Sequence, residues 1–147
     1  MKKLVWRTLP ILGFCLFSIA VSFAQDQYTE GTVNRVSLYR ILPGHFNGAF
    51  DDIKKNVVPI WEAEKASGLI ENYQLFLNQT KSGIDDWDLG IVITYKNMAA
   101  LDGLGMKVLE LRMKQYGDKG NEQKVIDKRV ENIQPVASYL TRNITLK

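Results

Sequence analysis

The spacing of apolar residues predicts a strand–helix–strand unit that runs twice through the chain. The first copy covers residues 33–42, 45–67 and 69–78, and the second covers residues 87–95, 97–117 and 136–146. Apolar side chains alternate with polar ones in the strands and return every three or four positions in the helices. Segment 87–95 is the strongest strand, with one face made by Trp87, Leu89, Ile91, Ile93 and Tyr95. The order predicts one α+β domain, a four-stranded antiparallel sheet with helices on one face.

The first helix is predicted to be interrupted. Its apolar stripe runs from Phe46 through Ile53 to Ile60. Pro59 lacks a backbone donor and clashes with the preceding turn, so we expect a kink or a restart near Val58. Gly68 is expected to end the helix, because glycine readily adopts the left-handed conformation of a C-cap.

The second half is longer than the first. Asn97 is a plausible N-cap for its helix, and Gly117 is expected to end it. A further helical segment is predicted at residues 121–133, with Ile126, Val130 and Ile133 facing inward and Pro135 stopping it. This extra segment is placed to cap a pocket.

The first 24 residues have the pattern of an export signal. A basic start with Lys2, Lys3 and Arg7 precedes an apolar run over residues 9–21, and small residues predict cleavage between Ala24 and Gln25. A membrane anchor is the alternative, but a span needs about 20 apolar residues. We therefore expect a signal at 1–24, a loose polar leader at 25–32 and one domain at 33–147. The protein is expected in the periplasm or secreted, with no membrane association after cleavage.

Removing the signal changes the charge and the cysteine content. Of 19 basic residues the signal holds three, which leaves 16 against 16 acidic residues in the 123 residues that follow. A formally neutral domain gives no reason to expect a nucleic-acid partner. The only cysteine, Cys15, lies in the signal, so the remaining chain has neither a disulfide nor a cysteine metal site. We expect no cofactor and no metal.

Several short strings, together with the order of elements, resemble the dimeric α/β-barrel superfamily. They are Pro43-Gly44, the run at residues 57–61, Gly68 leading into Tyr73, and Trp87-Asp88-Leu89 followed by Tyr95. The likeness is greatest to small exported bacterial members of unassigned function, and it covers about residues 33–146.

The resemblance implies a ferredoxin-like sandwich that forms a homodimer. Two sheets would close into a barrel with the helices outside, which buries the bare sheet faces and removes exposed edges. Members often hold a small ligand between sheet and helices. The superfamily includes cofactor-independent oxygenases, haem-binding proteins, polyketide cyclases and members without known catalysis, so the fold does not choose among activities.

His45 is the only histidine and the first candidate for catalysis. Placed at the start of a helix, it is a candidate general base, and Asn72 or a tyrosine is its candidate partner. This arrangement would make the protein a cofactor-independent oxygenase or a cyclase-like enzyme. The alternative, which we favour, is an exposed residue in the first helical turn, because one histidine without a placed partner is weak evidence.

Aromatic and basic residues supply the candidates for ligand binding. Tyr39, Trp61 and Tyr73 are suited to line a pocket for a flat apolar molecule, and Arg142 to recognise a ligand carboxylate. The alternative for the aromatic residues is packing in the core or the dimer interface. For Arg142, and for Arg40 on the first strand, the alternative is an ion pair in the dimer interface, for example with Glu64, Glu71 or Asp88, and we favour it.

The leading hypothesis is an exported homodimer that binds a small apolar or aromatic molecule between sheet and helices. An enzyme using His45 is the first alternative, and a structural or partner-binding domain is the second. Whether the protein is an enzyme stays open at this point.

Overall fold

A computed structural model of the chain describes residues 27–83 and 86–147, so the predicted signal at 1–24 lies outside the described residues. The elements, in chain order, are β1 (Tyr28–Ile41), α1 (Phe46–Asp52), a π-helical turn (Ile53–Val57), α2 (Val58–Ala66), β2 (Asn72–Leu77), β3 (Leu89–Tyr95), a 3-10 helix (Met98–Leu101), α3 (Leu104–Tyr116), α4 (Lys119–Val130) and β4 (Ile133–Leu146). Among the described helices, none is long and apolar enough to cross a bilayer.

The strands form one sheet in the order β2-β3-β1-β4. β3 is antiparallel to both of its neighbours, β1 and β2. With helices following β1 and β3, this order defines a ferredoxin-like fold and confirms the fold class predicted from the sequence. β3 lies inside the sheet and carries buried Leu89, Ile91 and Tyr95, which confirms its predicted central position.

The register separates the sheet into two different faces. Val33 pairs with Tyr95 and Tyr39 with Leu89, and this face packs against the helices, with Val33 and Leu89 fully buried. The opposite face is less covered, because the paired Val36 and Val92 are only half-buried. The helices therefore cover one side of the sheet, as predicted.

The break in the first helix lies where Pro59 predicts it. α1 ends at Asp52, a π-helical turn follows, and α2 begins at Val58 with Pro59 in its first turn, where the missing backbone donor does no harm. α2 buries Ile60, Trp61 and Glu64. The restart thus determines which face of α2 meets the sheet.

β1 begins five residues earlier than predicted, so residues 28–32, which we expected to be a loose leader, belong to a strand. Strand pairing uses backbone groups and does not need apolar side chains. Residues 27–30 and 144–147 form a compact unit of their own. Within it, the Lys147 amide donates to the Gln27 carbonyl oxygen at 3.1 Å. The rest of the fold, residues 31–143, is the other compact unit.

Three details of the second half differ from the prediction. The Asn97 side chain accepts the Ala100 amide hydrogen at 3.0 Å, but it caps the 3-10 helix; α3 begins only after Gly103, whose φ is +66°. α4 ends at Val130, which is 56% exposed, so that residue does not face inward. Pro135 lies within β4, which is tolerated because β4 is an edge strand.

Candidate ligand-binding cavity

A cavity of about 470 Å³ lies between the helix-facing side of the sheet and helices α2, α3 and α4. Its apolar wall includes Trp61 from α2, Tyr95 and Ile93 from β3, and Leu104 and Val108 from α3. Five charged side chains also line it: Arg35, Glu64, Arg112, Glu122 and Arg129. The predicted extra helix, α4, supplies the last two of these.

Glu64 is the most deeply buried carboxylate of the cavity. It follows Ile60 and Trp61 on the inner stripe of α2, and only 5% of its surface is exposed. Burial raises the pKa of Glu64 because a charged carboxylate loses its hydration, and the positive charges of Arg35 and Arg112 only partly oppose this shift. Glu64 therefore holds a proton more readily than an ordinary glutamate.

Arg112 and Glu122 form an ion pair that joins α3 to α4 across the cavity wall. Glu122 is 7% exposed, and a buried carboxylate of this kind is normally found with a charged partner. The pair therefore neutralises one carboxylate of the cavity and leaves Glu64 as the one without a direct ion pair among the described residues.

The Arg129 side chain is held by an ion pair with Asp52. Its Nε donates to Asp52 Oδ2 at 2.5 Å, and the neighbouring Tyr116 hydroxyl donates to the Asn56 carbonyl oxygen at 2.7 Å. Burial lowers the pKa of Arg129, but Asp52 and Tyr116 outweigh it, so that the pKa is raised and the guanidinium stays charged. Its buried Nη2 has no hydrogen-bond acceptor among the described residues.

Tyr95 forms the sheet side of the cavity and is 1% exposed. The Arg35 guanidinium lies 5.5 Å from the centre of its ring, in the geometry of a cation–π contact. Burial raises the pKa of the Tyr95 hydroxyl; Arg35 opposes this effect and Glu64 adds to it. Tyr95 therefore stays protonated and is able to donate a hydrogen bond.

Of the four residues predicted to bind a ligand, Trp61 lines the cavity. Tyr73 contacts the Trp61 ring at 5.0 Å between centroids, and its hydroxyl donates to Glu62 Oε1 at 2.5 Å. Tyr39 packs against the core cluster, and Arg142 lies on the exposed strand β4. These last three do not line the cavity.

His45 and Asn72 lie apart from the cavity and from each other. His45 is exposed, and its Nδ1 is 2.9 Å from Asn132 Oδ1. Asn72 is also exposed, and it is the first residue of β2. It is level with Asn34 of β1, because both residues pair with Thr94. His45, by contrast, follows the other end of β1, which is at Ile41. This placement gives the predicted His45–Asn72 pair no shared site.

In the sequence analysis, Glu64 was considered only as an ion-pair partner, and Tyr95 was not placed among the ligand-binding candidates. A signal was present: Glu64 is four residues after Ile60 and three after Trp61, so it continues an apolar helical stripe. Arg112 likewise follows Leu104 and Val108 at steps of four. Charged residues on such stripes indicate a buried polar site.

No cluster of three or more histidine, cysteine, aspartate or glutamate residues suited to a metal ion occurs in residues 27–83 and 86–147. Outside the cavity, a Cβ on Gly48 would be 2.9 Å from Asn132 Oδ1, so this helix position is closely packed against the residue that contacts His45. The charged cavity therefore stands as the candidate site, without a metal cluster in this part of the chain.

No family model and no curated protein matches the chain. Solved structures with a similar backbone include HapK from Hahella chejuensis, at 11% identity and a TM-score of 0.43, covering 76% of this chain and 91% of that one. A dimeric ferredoxin-like protein from an uncultured marine organism shares 12% identity at a TM-score of 0.48, and the match covers 81% of this chain and 98% of that one. Another dimeric ferredoxin-like protein, of unknown function, from Jannaschia sp. CCS1, shares 14% identity at a TM-score of 0.44. The match covers 77% of this chain and 98% of that one. The chain is a ferredoxin-like protein by its own strand order.

Proposed function

We propose that this protein is an exported homodimer that binds a small molecule in the cavity between sheet and helices. One observation carries the proposal: a space of about 470 Å³ brings the flat side chains of Trp61 and Tyr95 together with the buried carboxyl of Glu64. Pockets for small ligands have volumes of about 300–1,000 Å³ and combine apolar walls with a few converging polar groups.

The uncovered face of the sheet supports the homodimer. Val36, Leu38 and Val92 are half-buried there, and Phe76 is 39% exposed. A row of apolar side chains on a sheet face is normally covered. A second copy of the same face offers a matching surface and a two-fold arrangement, which is the commonest form of association.

Export is supported by the basic start, the apolar run and the small residues before Gln25. Expression of the whole chain in a bacterium with a periplasm, followed by fractionation and N-terminal sequencing, tests it. The mature protein should start at Gln25 in the periplasmic fraction. Full-length protein in the cytoplasm or the membrane fraction would reject this part of the proposal.

Ligand binding is testable with 2-naphthol, a flat neutral probe. Trp87→Phe leaves Trp61 as the single tryptophan after residue 24, so its fluorescence reports the cavity. Saturable quenching of Trp61 is expected. No quenching by this probe or by its carboxylate and amine analogues, 2-naphthoate and 2-naphthylmethylamine, at their solubility limits would overturn the proposal.

Gly105 provides the matched control. It lines the cavity, and a Cβ added there meets no atom within 4 Å, so a large side chain fills open space. Gly105→Phe should abolish quenching while the protein stays folded, whereas Gly105→Ala should leave it nearly unchanged. Equal quenching in all three proteins would place the probe elsewhere.

An enzyme that uses Glu64 as its acid–base group is the second candidate, and the raised pKa in an aromatic cavity favours it. Its carboxylate would remove a proton from the carbon next to a carbonyl group and return it from the same side. The test is deuterium incorporation into 2-tetralone in D2O, followed by NMR. Deuterium exchange that is faster with the parent protein than in buffer, and that is lost in Glu64→Gln, supports this enzyme. Exchange at the buffer rate with the parent protein rejects it.

A further inference from the structure

We propose that the ligand of this cavity is an organic anion with a flat apolar body, such as an aromatic carboxylate, whose oxygen atoms bind Arg129 Nη2. The inference rests on the proposed function, because it names the ligand class of the same cavity. Its two supports are the balance of charges on the wall and a buried donor that lacks an acceptor.

The charged wall of the cavity is positive when Glu64 is neutral. Three guanidinium groups line it, and two of them have carboxylate partners, Arg112 with Glu122 and Arg129 with Asp52. Arg35 and Glu64 remain, and burial favours the neutral form of Glu64. An anion is attracted by such a wall, and an amine is repelled by it.

Arg129 shows where the anion binds. Asp52 accepts from its Nε, and Asp52 does not line the cavity. The Nη2 nitrogen is buried and has no acceptor among the described residues, although arginine nitrogens in protein interiors are normally hydrogen-bonded. A carboxylate oxygen of the ligand would satisfy this donor with a charge-assisted hydrogen bond.

Glu64 makes binding depend on pH. The other titratable groups that line the cavity are Arg35 from β1, Tyr95 from β3, Arg112 and Tyr116 from α3, and Glu122 and Arg129 from α4. An ionised Glu64 repels a bound carboxylate, whereas a protonated Glu64 can donate a hydrogen bond to it. Affinity for an anion therefore rises as pH falls and Glu64 takes up a proton.

Three naphthalene probes with one ring system and different head groups test the ligand class: 2-naphthoate, 2-naphthol and 2-naphthylmethylamine. Binding is measured by Trp61 fluorescence in the Trp87→Phe protein. We expect 2-naphthoate to bind about tenfold more tightly than 2-naphthol, and the amine to bind most weakly. Binding of 2-naphthol or the amine more tightly than 2-naphthoate overturns the inference and leaves the cavity a binding site. Failure of all three probes removes the proposed function itself.

Two variants test the assigned residues. Glu64→Gln should hold the 2-naphthoate affinity near its acidic value and remove its pH dependence, which in the parent protein lies above the ordinary glutamate pKa of 4.5. Arg129→Gln should weaken 2-naphthoate about tenfold and leave 2-naphthol unchanged. A 2-naphthoate affinity that keeps its pH dependence without Glu64 contradicts the role of that residue. If Arg129→Gln fails to fold, the ranking of the three probes on the unchanged cavity still decides the inference.

Discussion

The Phe76 side chain covers Gly90 on the neighbouring strand. The two residues are paired in the register of β2 and β3, and a Cβ built on Gly90 would lie 2.1 Å from the Phe76 ring. The same ring meets the Trp87 ring edge-on, with centroids 5.4 Å apart. An aromatic ring over a strand glycine compensates for the missing side chain. Glycine is therefore required here by close approach of a neighbour.

This contact predicts that the effect of Gly90→Ala on the free energy of unfolding changes sign when Phe76 is replaced. Gly90→Ala should displace the ring and destabilise the fold by about 1–2 kcal/mol. In a Phe76→Leu background the same change should be neutral or stabilise by about 0.5 kcal/mol, because alanine restricts the unfolded chain. Urea denaturation of the four proteins measures both values. Equal destabilisation in both backgrounds would contradict the ring contact.

Glu64 predicts how stability depends on pH. Its pKa in the folded protein is raised above the ordinary 4.5, so its stabilising contribution is complete below that value and is lost as pH rises through the folded pKa. Glu64→Gln should therefore gain stability relative to the parent as pH rises, with a plateau once the pH lies above the folded pKa. Thermal melts of both proteins at matched pH values measure the difference. A difference that narrows with rising pH would show that Glu64 is not buried.

Asp88 predicts the opposite dependence of folding stability on pH, with stability lost as pH falls. Its Oδ2 accepts the Ile41 amide hydrogen at 2.9 Å, and its other oxygen pairs with Lys81. Burial raises the pKa of Asp88, but the pair with Lys81, the Ile41 amide and the charge of Arg40 outweigh it, so the pKa lies below the ordinary 3.8. The stability from Asp88 is present above that value and is lost as pH falls through the folded pKa.

Substitutions at this pair should differ in size. Asp88→Ala leaves the Ile41 amide without its acceptor and should destabilise by about 1–2 kcal/mol at neutral pH. Lys81→Ala should change stability by less than about 1 kcal/mol, because the lysine side chain is half exposed and solvent screens its charge. Urea denaturation measures both variants. A larger effect at Lys81 than at Asp88 would contradict the assigned hydrogen bond.

The uncovered sheet face predicts a dimer that dissociates when a charged side chain is introduced at the centre of this face. Val92 lies at its centre, paired with Val36 and Gln74. Val92→Lys should raise the dimer dissociation constant at least about 100-fold, because an unpaired charge would be buried. Met106→Lys is the control, since Met106 on α3 is 67% exposed. Analytical ultracentrifugation measures both. A dimer of unchanged affinity in Val92→Lys would move the interface elsewhere.

The fold was predictable because its signals are local. Alternation along residues 87–95 indicates a strand, and Pro59 interrupts the first helix through its own backbone chemistry. The start of β1 at Tyr28 was missed, because polar residues pair through backbone groups that leave no apolar pattern. The closeness of Phe76 to Gly90 depends on the register between strands, which periodicity within one strand does not give.

The site was predictable only in part, because it is assembled from residues far apart in the chain. Trp61 was identified as an aromatic candidate and lines the cavity. Glu64 was considered only as a partner for an arginine, since a charged residue inside an apolar stripe is usually interpreted as the edge of that stripe. The buried pair of Arg112 and Glu122 exists because α4 packs against α3, and the pattern along either helix alone does not show this contact.

The most direct test of a ligand site in this cavity is an NMR titration of 15N-labelled protein with 2-naphthoate. We expect saturable shifts of the Gly105 amide and the Trp61 indole N–H, both of which belong to cavity residues. The amides of His45 and Asn72, which lie outside the cavity, should not move. Saturable shifts confined to His45 or Asn72, or no shift at any residue, would contradict it.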